Sequence, residues 1–163
     1  MATSSTGPSK GIDPRGPRFG AAVTGVLLLV VIGLWLSTHT LWALILFAFI
    51  TLVFAWGAFA GVKRHPYGLF FKAVIRPRLK PPTELEDPTP PTFAQGVGLV
   101  ITLVGLLLSL IPGLGIVLPI AAALAFIAAF LNSVFGYCLG CQIYLLLVRL
   151  GVLGRKHNTP AAA

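Results

Sequence analysis

Four long stretches of the chain are almost free of polar residues, at about 19–37, 41–62, 94–111 and 115–137. A helix rises about 1.5 Å per residue, so roughly 20 apolar residues cross the hydrocarbon core of a bilayer. Each stretch is long enough, the third with its flanks. Ser37-Thr38-His39-Thr40 separates the first pair and Ile111-Pro112-Gly113-Leu114-Gly115 the second, both short turns without charge. The pattern predicts two helical hairpins joined by a connector at 63–93. The fold expected is all-α, an integral membrane four-helix bundle within a membrane domain over 19–153. Pro17-Arg18-Phe19-x-x-x-Val23 opens the first hairpin and Pro91-Thr92-Phe93-x-x-x-Val97 the second. This short match points to two related hairpins side by side, with chance as the alternative.

Composition agrees. Of 163 residues, 56% are hydrophobic and only 10% charged, with a mean hydropathy of +0.93. A soluble domain carries about 25% charged residues. The net charge of +8 comes from 12 Lys and Arg against 4 acids. Lys10, Arg15 and Arg18 precede the first span, and Lys63, Arg64, Lys72, Arg76, Arg78 and Lys80 fill the connector. Arg149, Arg155 and Lys156 end the chain. None of the twelve lies in either short turn. The positive-inside rule therefore predicts cytoplasmic termini and connector in a multi-pass protein of the cell membrane. The same distribution reads as topology signalling and attraction to anionic lipid, not nucleic-acid binding.

The first apolar run follows bases, as a secretory signal would. It is longer than a signal core of about 7–15 residues, and a second run follows at once, so it reads as a retained span. Residues 1–18 read as a disordered basic tail and 154–163 as a C-terminal tail. Within the connector, residues 63–80 mix bases with Tyr67, Leu69, Phe70, Phe71, Val74, Ile75 and Leu79. This suits an amphipathic segment on the inner leaflet, with Lys72, Arg76 and Arg78 as candidate contacts to membrane lipid. Residues 81–91 hold five prolines with Glu84, Glu86 and Asp87, an extended acidic strap. Thr92-x-x-Gln95 reads as a capping box opening the third span.

Helices in lipid associate through small residues. Gly57-x-x-x-Gly61 and the stripe Ala121, Ala125, Ala129, Ser133 and Gly136 are candidate interfaces, inside the bundle or in a homo-oligomer. Asn132 is the one amide within an otherwise apolar span. No Asp, Glu, Lys or Arg lies within 19–62 or 94–148, which argues against a proton- or cation-coupled transporter. No nucleotide-binding loop, zinc-protease motif or Ser/His/Asp set occurs, and no cofactor is expected. A stand-alone enzyme is not the expectation.

The densest cluster of unusual residues is Gly136-Tyr137-Cys138-Leu139-Gly140-Cys141-Gln142-Ile143-Tyr144. Counting along the fourth span puts the thiols near the cytoplasmic interface, and Ile143 to Leu153 would extend the helix along the membrane surface. A C-x-x-C brings two thiols within reach of one disulfide or one soft metal. A reducing cytosol disfavours a structural disulfide. Two thiolates alone do not complete a tetrahedral zinc site, and His65 or His157 would have to fold near them. No metal site is assigned. Packing as two small hydrophobes, thiol or sulfur chemistry, and lipid attachment remain open. No base adjoins the pair in sequence to lower a thiol pKa.

Further motifs are Asp13-Pro14-Arg15-Gly16-Pro17-Arg18-Phe19, His65-Pro66-Tyr67-Gly68, Arg76-Pro77-Arg78-Leu79, Pro82-x-Glu84-Leu85-Glu86-Asp87, Phe93-Ala94-Gln95-Gly96-Val97-Gly98 and Leu131-Asn132-x-x-Phe135-Gly136-x-Cys138-Leu139-Gly140-Cys141. Together, from about Ile12 to Arg149, these resemble an uncharacterised family of actinobacterial four-span membrane proteins, domain of unknown function family forty-three ninety-five. The resemblance implies the fold but no activity. Its members often carry an acidic residue directly after the second cysteine; here that position is Gln142. The stretch from Gly136 to Tyr144 is also similar to the end of a two-helix membrane domain found fused to rhodanese sulfurtransferases, which tilts the thiol reading toward sulfur.

Two functions follow as expectations. In one, Cys138 and Cys141 are redox thiols that exchange electrons or sulfane sulfur with a cytosolic thioredoxin-like or rhodanese-like protein, and Asn132, Tyr137 and Tyr144 position the site. In the other, the chain is a non-enzymatic membrane subunit or scaffold whose cysteines only pack.

Overall fold

The computed structural model describes residues 11–82 and 84–153. Residues 1–10 of the expected 1–18 tail and all of 154–163, and with them Lys10, Arg155, Lys156 and His157, lie outside the described residues. Residues 11–18, by contrast, are ordered, with Ile12 bonded to Glu86 and the first helix starting at Arg15. Six α-helices follow in order: α1 (Arg15–Leu36), α2 (Thr40–Ala60), α3 (Pro66–Phe70), α4 (Thr89–Ser109), α5 (Val117–Phe135) and α6 (Leu139–Arg149). Among the described residues there is no strand. Four of the helices, α1, α2, α4 and α5, are long and apolar enough to cross a membrane. The chain is a multi-pass membrane protein with an all-α helical bundle.

The hairpins α1–α2 and α4–α5 pack side by side, α1 against α5 and α2 against α4. With α1 on α2 and α4 on α5, the four helices close into a ring. Its core is Leu28, Val31, Ala43, Phe47, Ile50, Leu118, Ala121, Ala122 and Ala125. Large apolar side chains such as Val26, Leu36, Leu52, Phe59 and Val100 face outward. A soluble protein would bury them; in a bilayer they meet lipid.

Small residues let the backbones approach. A Cβ at Gly105 would fall on that of Ala121, and one at Gly57 would lie 2.8 Å from the side chains of Gln95 and His65. Ala121, Ala125 and Ala129 are buried. The alanines of the small-residue stripe and Gly57 are thus taken up within one chain, while Ser133 is half-buried and Gly136 exposed. The buried hydroxyls of Thr51 and Thr102 donate to the carbonyls of Phe47 and Gly98, both at 2.9 Å, which removes the cost of burying them in an apolar core.

The connector is more structured than a solvated loop. A 3-10 turn at Val62–Arg64 leads into α3, whose helix widens to a π-turn over Phe71–Ile75 and ends in a second 3-10 turn at Arg76–Arg78. Phe71 is buried and, with Phe70, packs its ring against Phe19 of α1 at 5.8 and 6.1 Å. Leu69, Phe70, Val74 and Leu79 stay exposed beside the bases, so an apolar surface remains.

Three local expectations differ. The expected cap at Thr92 is absent because α4 begins earlier, at Thr89. Asp87 accepts from the N–H and hydroxyl of Thr89 at 2.8 and 2.7 Å, while Thr92 donates its hydroxyl to the Pro88 carbonyl and accepts the Val62 N–H. The strap is tied down: Ile12 and Glu86 exchange two backbone hydrogen bonds of 2.9 Å. Finally, α5 does not continue into the cysteines. It stops at Phe135, and α6 turns away to pack on α4.

Candidate thiol site

That break creates the site. Gly136 adopts φ 67, the left-handed conformation that glycine takes without steric cost, and its N–H closes the last turn of α5 on Asn132 at 3.1 Å. Two residues later Cys138 is extended and serves as the N-cap of α6. Its sulfur accepts the backbone N–H of Cys141 at 3.3 Å, as a Ser or Asp oxygen would. Gly140 allows the close approach to α4: a Cβ there would lie 2.6 Å from Ala94.

An anion is favoured at a helix N-terminus, where unsatisfied N–H groups converge. The two thiols are free and half-buried. The hydrogen bond from the Cys141 thiol lowers the Cys138 pKa to about 7; burial opposes this, and the N–H groups of Cys141 and Gly140 reinforce it. The same hydrogen bond, with burial behind it, pushes Cys141 up. The two thiols thus differ in acidity, the first lowered and the second raised.

Both thiols line a cavity of about 750 Å³ at the connector end of the bundle. Its walls include Arg18, His65, Gln95 and Asn132, and its roof is the segment Gly11–Pro14 with Leu85–Asp87. The roof is held by charge. Arg15 donates to both carboxylate oxygens of Asp13 at 3.0 and 2.9 Å and to the Lys80 carbonyl at 3.0 Å, and Arg76 lies 4.0 Å from Asp13. Burial works against the Asp13 carboxylate, but hydrogen bonds from Arg15 and the charges of Arg15 and Arg76 outweigh it and hold the carboxyl below its ordinary value. His65 is buried against Tyr67, ring centroids 5.1 Å apart, and burial lowers its pKa.

The sequence candidates separate. Cys138, Cys141, Asn132, Lys72 and Arg76 line this cavity. Tyr137 is exposed. Tyr144 packs at a tilt against Phe93, ring centroids 5.5 Å apart, and borders a separate apolar groove of about 590 Å³ with Val97 and Ile101. Arg78 donates to the Val74 carbonyl in its own segment. Among the described residues no group of three His, Cys, Asp or Glu side chains could hold a metal, so His65 does not complete a set with the thiols.

Sequence reasoning missed Arg18, Glu86 and Asp13. Arg18 caps the end of α5, its Nη2 at 3.5 and 3.4 Å from the carbonyls of Ser133 and Val134. Glu86 acts electrostatically on both thiols, raising each. A carboxylate therefore reaches this site from the strap although position 142 is Gln. One sequence signal was available: all four acids sit at 13 and 84–87.

No curated protein and no solved structure matches the chain significantly. The family described as Domain of unknown function (DUF4395) matches residues 12–149, which takes in all four spans, the roof and the thiol pair, and the chain belongs to that family.

Proposed function

We propose that this membrane protein is a dithiol relay, in which Cys138 is the attacking thiol and Cys141 the resolving one. The observation that carries the reading is the placement of Cys138 as the N-cap of α6, its sulfur accepting the Cys141 N–H at 3.3 Å beside a cavity. The Cys138 thiolate attacks a disulfide or persulfide sulfur of a cytosolic thioredoxin-like or rhodanese-like protein, and the partner's leaving thiolate takes a proton. With a disulfide partner, Cys141 then loses its proton and displaces the partner from the mixed disulfide. Two electrons leave the pair and a Cys138–Cys141 disulfide forms. The bases at 15–18 and 63–80 share an end of the bundle with the thiols. By the positive-inside rule that end is cytoplasmic, with the exposed Lys72 and Arg78 toward anionic headgroups while Arg76 is held by Asp13.

Maleimide labelling in cells tests both parts. The expected result is labelling of Cys138 by a permeant reagent, increased by prior reduction, and none by an impermeant reagent in intact cells. A Cys141→Ser variant should accumulate a mixed disulfide with the cytosolic partner. Thiols inert under both conditions, with full function of Cys138→Ser/Cys141→Ser, would leave the chain as a scaffold whose cysteines pack. Labelling from outside would reverse the orientation.

A further inference from the structure

We infer that the cavity holds a small anionic disulfide or its thiol, with the Arg18 guanidinium taking a carboxylate and Cys138 the sulfur. This rests on the dithiol reading and supplies the relay's second exchange partner. The cavity's size, about 750 Å³, falls within the range of small-molecule sites of about 300–1,000 Å³.

Charge on its walls is unevenly neutralised. On the walls Arg76 is taken up by Asp13, which Arg15 also binds from outside the lining, and Lys72 and Glu86 face the same cavity. Arg18 has no carboxylate within ion-pair distance among the described residues. Its protein contacts there are two long hydrogen bonds, through one nitrogen, to carbonyls at the end of α5. A guanidinium carries five N–H donors in a planar fork that matches a carboxylate. The guanidinium lies beside Gly136: a Cβ there would sit in ordinary contact, 3.5 to 3.7 Å from Cζ, Nη1 and Nε of Arg18. The same glycine starts the turn that delivers Cys138 two residues later, and Arg18 and Cys138 line the same cavity.

The chemistry balances. The Cys138 thiolate attacks one sulfur of the small disulfide, whose S–S bond breaks. The first thiolate leaves and takes a proton. Cys141 gives up its proton and attacks Cys138, releasing the second small thiol. One disulfide gains two electrons and two protons, and the C-x-x-C is oxidised; the partner exchange run in reverse, with the cytosolic protein as dithiol, then reduces it.

The test uses the full chain, reduced, in phosphatidylcholine nanodiscs. Oxidation of the pair is timed with dithiodiglycolate, a dianion, and with neutral 2-hydroxyethyl disulfide, and the ratio of rate constants is divided by that for free dithiothreitol. The expected normalised ratio is about tenfold or more, the size of one charge-assisted contact. Arg18→Gln should bring it to about one, and Arg18→Lys, which keeps the charge, should retain most of it. A ratio near one in the native protein, or one unchanged by Arg18→Gln, overturns the inference and leaves the dithiol reading standing. A pair that neither disulfide oxidises defeats both. A preference that vanishes in phosphatidylglycerol nanodiscs assigns Arg18 to a headgroup phosphate and also overturns it.

Discussion

The sulfur of Cys138 accepts the backbone N–H of Cys141 at 3.3 Å, so the first thiol of the C-x-x-C caps a helix. Because the second thiol also donates to it, the pair's acidity is shared unequally.

Alkylation of Cys138 by iodoacetamide should therefore be slow in acid, where the thiol is protonated, and rise with a midpoint near pH 7. In Cys141→Ala the thiol donor is gone, and the midpoint should move up toward the ordinary value of about 8.5. A midpoint that stays put would show that the second thiol has no part in activating the first.

Gly136→Ala forces an L-residue into φ 67, at a cost of about 1–2 kcal/mol. No atom lies closer than 3.5 Å to the new Cβ, so the cost is conformational. Thermal unfolding in detergent should shift down by that amount, and the Cys138 alkylation midpoint should rise as the cap loses its register.

Asp13→Asn should loosen the roof. The Asp13 carboxyl is held below its ordinary value of 3.8, so its contribution is present above that pH and lost as pH falls through the lowered folded value. At pH 7 the variant's Ile12 and Glu86 amides should exchange with deuterium faster than those of the native protein. After correction for intrinsic rates, the native protein should match it only in acid below about pH 4.

Gly105→Val overfills the contact with Ala121 and should destabilise the bundle by about 1–3 kcal/mol in detergent. Gly33→Ala has nothing within 4 Å and should stay within about 0.5 kcal/mol of the native protein. Equal effects would mean that the α4–α5 contact is slack.

The spans and hairpins were legible because apolar runs and short turns are local features of the chain. The end of α5 was less so. Apolar pattern alone carries the fourth stretch to Tyr137, and Gly136 can sit inside a membrane helix or end one; its left-handed φ ends it. Thr92 looked like a cap because Thr-x-x-Gln has the right spacing, yet Asp87 sits earlier and starts the helix first. Arg18 read only as a topology signal, since its contact with the α5 carbonyls joins residues more than a hundred positions apart. Tyr137 and Tyr144 adjoin the thiols in sequence, but the turn into α6 carries their rings elsewhere.

The ring order of the helices makes the cavity a property of a seam. The first hairpin brings Arg18, the second brings both thiols, and α1 meets α5 where they face the same cavity. Neither hairpin alone owns the site. A chain severed within 79–82 would put Arg18 in one half and both thiols in the other, so a preference of the thiols for an anionic disulfide should return only when the two halves complement one another in the same membrane.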